Sequence, residues 1–158
     1  MQPKYDYRRR LPHIQKDEQP LFITFASDRR WHLPPAAREI ALNCCLAHHG
    51  RRYELLAAVV MPDHAHLILS PLRRTDGWCW TIPEIMHAIK GSSAYGINKL
   101  LGRKGAVWQE ESFDHVLRSN ESLEEKVNYI CNNPVRAGLV SEPDGYPWLW
   151  RSGVGPGL

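Results

Sequence analysis

The sequence predicts an α+β domain built on one antiparallel sheet, and three observations carry that expectation. Short runs rich in β-branched and aromatic residues are interleaved with longer helical stretches. Two of the runs, 53–60 and 65–70, are separated only by Met-Pro-Asp-His, too little chain for a crossover, so they must pair antiparallel. Proline and glycine fall where the helical stretches begin and end.

The elements follow in order. Residues 1–20 read as an irregular basic arm, 21–150 as the folded domain and 151–158 as a short tail. LFITFAS (21–27) is the first strand. Pro34 and Pro35 open the helix AAREIALNCCLAHHG, which Gly50 stops. YELLAAVV (53–60) and AHLILS (65–70) are the second and third strands. Thr81, followed three residues later by Glu84, has the form of a capping box, with Pro83 in the first turn of a helix running to about Leu100. Gly102 and Gly105 end it. SFDHVLR (112–118) is a fourth strand. Ser122 caps a third helix, LEEKVNYICNN, which Pro134 ends. The order β-α-β-β-α-β is that of a ferredoxin-like split βαβ unit, with two helices on one sheet face and the third helix added.

Bulk properties narrow the class. With 158 residues and 43 % hydrophobic content, the chain has room for one real core. The net charge is only +3, but arginines cluster at Arg8–Arg10, Arg29–Arg30, Arg51–Arg52 and Arg73–Arg74, and Arg103 adjoins Lys104. That suits a phosphate-binding rim and equally a solvated surface. Cys44, Cys45, Cys79 and Cys131 form no C-x-x-C pair, so neither a zinc site nor a disulfide framework is expected. A polar, Arg-rich start without an apolar run behind it, and no span-length apolar stretch, predict a cytoplasmic protein without a membrane segment.

The chemistry starts at MPDHAHLILS (61–70). Strand side chains two apart share a face, so His64 and His66 point one way while Ala65, Leu67 and Leu69 point into a core. Two imidazoles so placed either chelate one divalent ion or are hydrogen-bonded surface histidines. Magnesium or manganese would also need an oxygen donor and water. Tyr129 and Asn133, four apart, share a face of the third helix. If that helix crosses the histidine face, Asn133 can ligate the ion and the Tyr129 phenol can point at whatever the ion holds. A phenol beside a metal-bound phosphate is a nucleophile for phosphodiester cleavage. Half-buried packing is the alternative for Tyr129.

Several stretches together resemble a known family. MPDHAHLIL is similar to the histidine-hydrophobic-histidine motif of single-tyrosine HUH transposases. VWQEESFDHVLR, YICNNPVRAGLV and DGYPW resemble the REP-associated tyrosine transposases, a branch of the IS200/IS605 type. The resemblance covers roughly residues 20–150 and lies in the order of the motifs. It implies the HUH fold, a divalent metal (Mg2+ or Mn2+) and single-stranded DNA cleavage and strand transfer through a 5′-phosphotyrosine. The metal histidines then fall on His64 and His66, the nucleophile on Tyr129 and the polar ligand on Asn133. The tail, Trp148-Leu149-Trp150, departs from the Trp-Ser-Ser-like sequence of similar proteins.

The implied partner is a single strand with a REP-like hairpin, which calls for basic contacts and aromatic platforms. Arg8, Arg9, Arg10, Arg73, Arg74, Trp78, Trp80, Lys90, Arg103, Lys104, Arg118 and Arg136 are the candidates, with Arg136 equally able to cap a helix. Asp63, Tyr95 and His115 are second-rank site residues. Asp63 could orient an imidazole or repel phosphate, Tyr95 could stack on DNA, pack in the core or rival Tyr129 as nucleophile, and His115, which shares a strand face with Phe113, reads as a structural histidine or a DNA contact. No dimer stripe is visible, which favours a monomer. A non-catalytic hairpin binder and a metal-dependent phosphodiesterase using water stay open as rivals.

Overall fold

The computed structural model describes residues 19–117 and 123–153. The N-terminal arm with Arg8–Arg10, Arg118, the Ser122 cap and the end of the tail lie outside the described residues.

Strand β1 (Leu21–Ser27) leads through a left-handed turn into α1 (Pro35–Ala47). β2 (Tyr53–Val60) and β3 (His64–Pro71) form the expected hairpin. Helix α2 (Ile82–Leu101) follows, then β4 (Trp108–Val116), α3 (Leu123–Cys131), the short α4 (Asn133–Arg136) and β5 (Leu149–Arg151). The sheet order is β4-β1-β3-β2-β5, antiparallel throughout, which is the split βαβ plan with one strand added.

Local chemistry sets the helix ends. Thr81 accepts the Glu84 amide at 3.2 Å and the Glu84 carboxylate accepts the Thr81 amide at 2.9 Å, the reciprocal cap the sequence predicts. Gly102 ends α2 with φ 62°, a left-handed conformation glycine adopts without a Cβ penalty. α1 stops at Ala47, slightly before the expected Gly50.

The sheet has two working faces. Ile23, Phe25, Leu55, Leu67 and Leu69 point to one face and meet Ala37, Ala41, Ile85 and Ile89 from α1 and α2 in the main core. A second cluster covers the other face: Ala57, Val59 and Ile68 pack with Ile130 of α3 and with Tyr146. α3 therefore lies on the sheet face opposite α1 and α2. That is the face to which alternation along β3 sends His64 and His66.

Three expectations need correction. β4 begins at Trp108 rather than 112, because Trp108 packs edge-on to Phe25 at 4.9 Å and anchors the start. The third helix ends at Cys131 rather than 133, since Pro134 has no N–H to continue the ladder. The tail supplies a fifth strand, in which Trp150 pairs with Ala58 and Leu149 with Val59.

Candidate active site

His64 and His66 sit on β3 opposite Ala26 and Thr24 of β1. Their rings are 4.8 Å apart between centroids. Each has its Nδ1 engaged. His64 Nδ1 lies 2.8 Å from Asp63 Oδ1, and His66 Nδ1 lies 2.8 Å from Thr24 Oγ1. When Nδ1–H donates to these oxygens, the Nε2 lone pairs are left for a ligand, which is how outer partners fix the tautomer of metal-bound imidazoles.

The two histidines differ in environment. His66 is buried and stacks on Phe22 at 5.4 Å. Burial first, then the charges of His64 and Arg136, lower its pKa to about 4, so the ring is neutral at pH 7. Asp63 is held from two sides, by His64 and by Arg30 Nε at 3.1 Å. Burial raises its pKa, but the bonds from Arg30 and His64 outweigh that and keep the carboxyl ionised. Arg29 and Arg30 follow β1 in the left-handed region, with φ 54° and 55°, a strained turn that aims Arg30 at Asp63. The Asp63 carbonyl is fixed in turn by the Ser27 amide at 3.0 Å.

α3 brings in the phenol. The Tyr129 ring sits edge-on to both His66 and Phe22, 6.1 Å from each. It is 47 % exposed, so the ring is supported on one side and open on the other. Arg136 covers the ring at 4.1 Å and donates to the Tyr129 carbonyl at 2.9 Å. Pro134 interrupts the helix here, and the guanidinium closes the end of α3 with its side chain. Asn133 starts α4 beside it, half-buried. The expected crossing of the third helix over the histidine face is thus present, and His64, His66 and Tyr129 share one face.

The other candidates lie elsewhere. Tyr95 is 68 % exposed on α2, across the sheet from the histidines. His115 pairs with Phe22 across β4 and β1, on the histidine face. Arg73, Arg74, Trp78 and Trp80 occupy the loop beyond the far end of β3. That strand has 8 residues, so at roughly 3.3 Å per residue the loop lies on the order of 20 Å from His64. Arg74 is paired with Asp76 at 2.6 Å and Glu84 at 2.9 Å, and it stands with Arg52 over the Trp80 ring. Arg103 stacks on Trp31 at 4.1 Å, and Lys104 is exposed nearby. Lys90 turns to its own fold: Nζ donates to the carbonyls of Gln109, Glu110 and Glu111 at 2.8, 3.1 and 3.3 Å. Burial lowers its pKa against the opposing pull of Glu110 and Glu111.

Sequence reasoning did not find Thr24, Phe22 or the role of Arg30. Thr24 and Phe22 reach His66 only through the β1–β3 register, which no local pattern displays. Arg30 stood out only as half of an arginine pair.

The split βαβ sheet thus carries a histidine pair on one face with a tyrosine-bearing helix laid over it. The family described as "Transposase IS200 like" matches residues 30–133, and the chain belongs to that family. A REP-associated tyrosine transposase of Escherichia coli K12 is 29 % identical over 105 residues, which are 62 % of this chain and 54 % of that protein. A Haemophilus influenzae protein, named as a candidate REP-associated tyrosine transposase, is 25 % identical over 101 residues, 61 % of this chain and 57 % of the relative. The chain thus spans little more than half the length of these curated relatives. Among solved structures, a REP-associated tyrosine transposase bound to a REP hairpin superposes with a TM-score of 0.66 at 25 % identity, over 92 % of this chain and 81 % of that one. Among the described residues, no helix is long and apolar enough to cross a membrane, and all four cysteines are free thiols.

Proposed function

We propose that this chain cuts and rejoins single-stranded DNA beside a REP-type hairpin, with Tyr129 as the nucleophile. The observation that carries the reading is the Tyr129 ring, half-exposed yet seated against His66 of the same chain. The hairpin substrate is taken from the relative solved with a REP hairpin.

In the proposed step the Tyr129 oxygen attacks phosphorus as its proton passes to solvent water. The Tyr129 Oη–P bond forms and the P–O3′ bond breaks. The 5′-phosphate stays on the tyrosine, and the departing 3′ oxygen takes up a proton. Because the phosphodiester is exchanged rather than hydrolysed, a free 3′-hydroxyl can reverse the attack and join strands.

His64, His66 and Asn133 would hold Mg2+ or Mn2+. Among the described residues no group of three or more His, Cys, Asp or Glu is placed to bind an ion, and the set proposed here takes its third donor from the Asn133 amide oxygen. The donors fit such an ion: two imidazoles oriented through Nδ1, one of them neutral by burial, and an amide close to the phenol's helix. An ion bound there supplies Lewis-acid polarisation of a nonbridging phosphate oxygen. Arg136, against the phenol, adds fixed positive charge where the phosphate must lie. Since Tyr129 sits against His66 of its own chain, one copy can supply both phenol and histidines, and we favour a monomer.

The test is a denaturing protein gel of end-labelled single strands carrying repeats from the source genome, with Mn2+, Mg2+ or chelator. A shifted band that requires the ion supports the reading. Ion-dependent cleavage without a shifted band replaces it with a phosphodiesterase using water, and tight hairpin binding with neither outcome replaces it with a non-catalytic binder. Asp63→Asn should weaken Mn2+ binding roughly 10- to 100-fold, as loss of a carboxylate behind a metal-bound histidine does. An electron-spin-resonance titration of free Mn2+ reads this without DNA, and unchanged affinity would remove Asp63 from the site.

A further inference from the structure

β4 carries an aromatic ring that packing does not explain. Phe113 is 61 % exposed. Core phenylalanines are buried in this fold, as Phe25 at 1 % exposure illustrates. One exposed apolar ring is ordinary by itself, so its position decides whether something covers it in use.

Its place in the sheet says what that is. Phe113 pairs with Thr24, and Thr24 pairs with His66. The three residues form one cross-strand row on the face that holds Tyr129. With strands about 4.8 Å apart, Phe113 lies roughly 10 Å from the buried histidine along the sheet. Among the described residues three large aromatic rings are exposed, Tyr95 and Phe113 strongly and Tyr129 by about half. Two of the three are on this face, and Tyr95 is on the other side.

The surroundings carry both signs of charge: Glu111 is exposed two residues before Phe113 on the same strand face, and two cations stand nearer the phenol. Lys126, one turn before Tyr129, holds its ammonium 5.8 Å from the Phe22 ring, and Phe22 itself stacks on His66. Arg136 stands over the Tyr129 ring at 4.1 Å. Two cations thus stand at the Phe22–Tyr129 ring pair, and Phe113 lies further along the same sheet face. A positively charged track with a stacking ring beside it is the recurring form of a single-strand site.

We propose that Phe113 is a stacking platform for an unpaired nucleobase flanking the phosphate held at the histidine pair. The platform fixes how the strand lies across the site. It rests on the reading of this face as the DNA site, but it concerns binding and can be tested apart from the chemistry. The ring recognises the π-face of a base, so it is tolerant of sequence.

The experiment measures affinity for a fluorescein-labelled oligothymidylate in chelator, where cleavage does not interfere, across a salt series. Phe113→Ala should weaken binding roughly 5- to 150-fold, the range of one lost base stack. The salt slope should stay as in the wild type, because no phosphate contact is removed. Phe113→Tyr should bind within about twofold of wild type, since it keeps the π-face. An abasic substitution scanned along a single strand joined to a REP-type hairpin, which fixes the register, should weaken wild-type binding at one position and leave Phe113→Ala indifferent there. The side chain is exposed, so both variants should fold.

Equal binding by Phe113→Ala and wild type overturns the proposal, as does a Tyr variant as weak as the Ala variant. A change of sedimentation coefficient with Phe113→Ala also overturns it, by showing that a second copy of the chain covers the ring. The two readings separate cleanly. Phe113-dependent binding without any covalent adduct sinks the nucleophile and keeps the platform. An adduct with Phe113-independent binding does the reverse.

Discussion

Tyr129→Phe should form no covalent protein–DNA adduct, a fall on the order of a thousandfold or more, with single-strand affinity within a few-fold of wild type. The substitution removes one oxygen and nothing else of the packing. Phe keeps the ring against His66 and Phe22 and under Arg136, contacts that lie 6.1, 6.1 and 4.1 Å from it. Among the described residues, α3 is seated by the buried Ile130 and Cys131 rather than by the phenol, which is about half exposed. Stability should therefore change by less than about 1 kcal/mol, as is usual away from buried polar groups. The matched control is Tyr95→Phe, on α2 across the sheet, which should leave the adduct intact. Cleavage or adduct that survives in Tyr129→Phe would move the nucleophile elsewhere or leave the attack to water. A variant that loses adduct and DNA binding together would give Tyr129 a binding role instead.

The parts of this fold that were legible in the sequence are those fixed by neighbours in the chain. Strand alternation alone sent His64 and His66 to one face and Leu67 and Leu69 to the other. Thr81 and Glu84 were readable as a cap because a capping box spans a single turn. The third helix was readable as the carrier of Tyr129, and its break was signalled by Pro134. What was not legible depends on partners distant in sequence. Thr24 orients His66 only because β1 pairs with β3 in one register. β5 is three residues long and follows Pro147, so it shows no run of its own; it exists because the edge of β2 accepts it. Lys90 reads as a phosphate contact from its charge, yet three carbonyls at the start of β4 hold its ammonium. The expected start of β4 was late because the Glu110–Glu111 pair masks a strand whose anchor, Trp108, precedes it.

Ile130→Ala tests how the tyrosine is delivered. α3 is short, 9 residues, and helices of that length have little stability of their own. Within it only Ile130 and Cys131 are buried, and Ile130 is the fully buried side chain, inserted among Ala57, Val59 and Ile68 of the sheet. Removing its outer carbons should cost about 2–4 kcal/mol, the usual range for a large-to-small change in a core. That loss should fall on the docking of α3 rather than on the sheet, whose strands are held by the main core on the other face. Amide exchange within 123–131 should then accelerate on the order of a hundredfold, while β1 and β3 amides keep their protection. Adduct formation should slow in the same proportion as the fraction of time Tyr129 spends undocked, with single-strand binding through the sheet face reduced less. Leu67→Ala, one residue from His66 but facing the main core, provides the contrast: it should lower protection in the sheet and in α3 together. If Ile130→Ala instead loosens every strand equally, α3 is part of one cooperative core. In that case the tyrosine is held as rigidly as the histidines, and the helix does not move independently of the sheet.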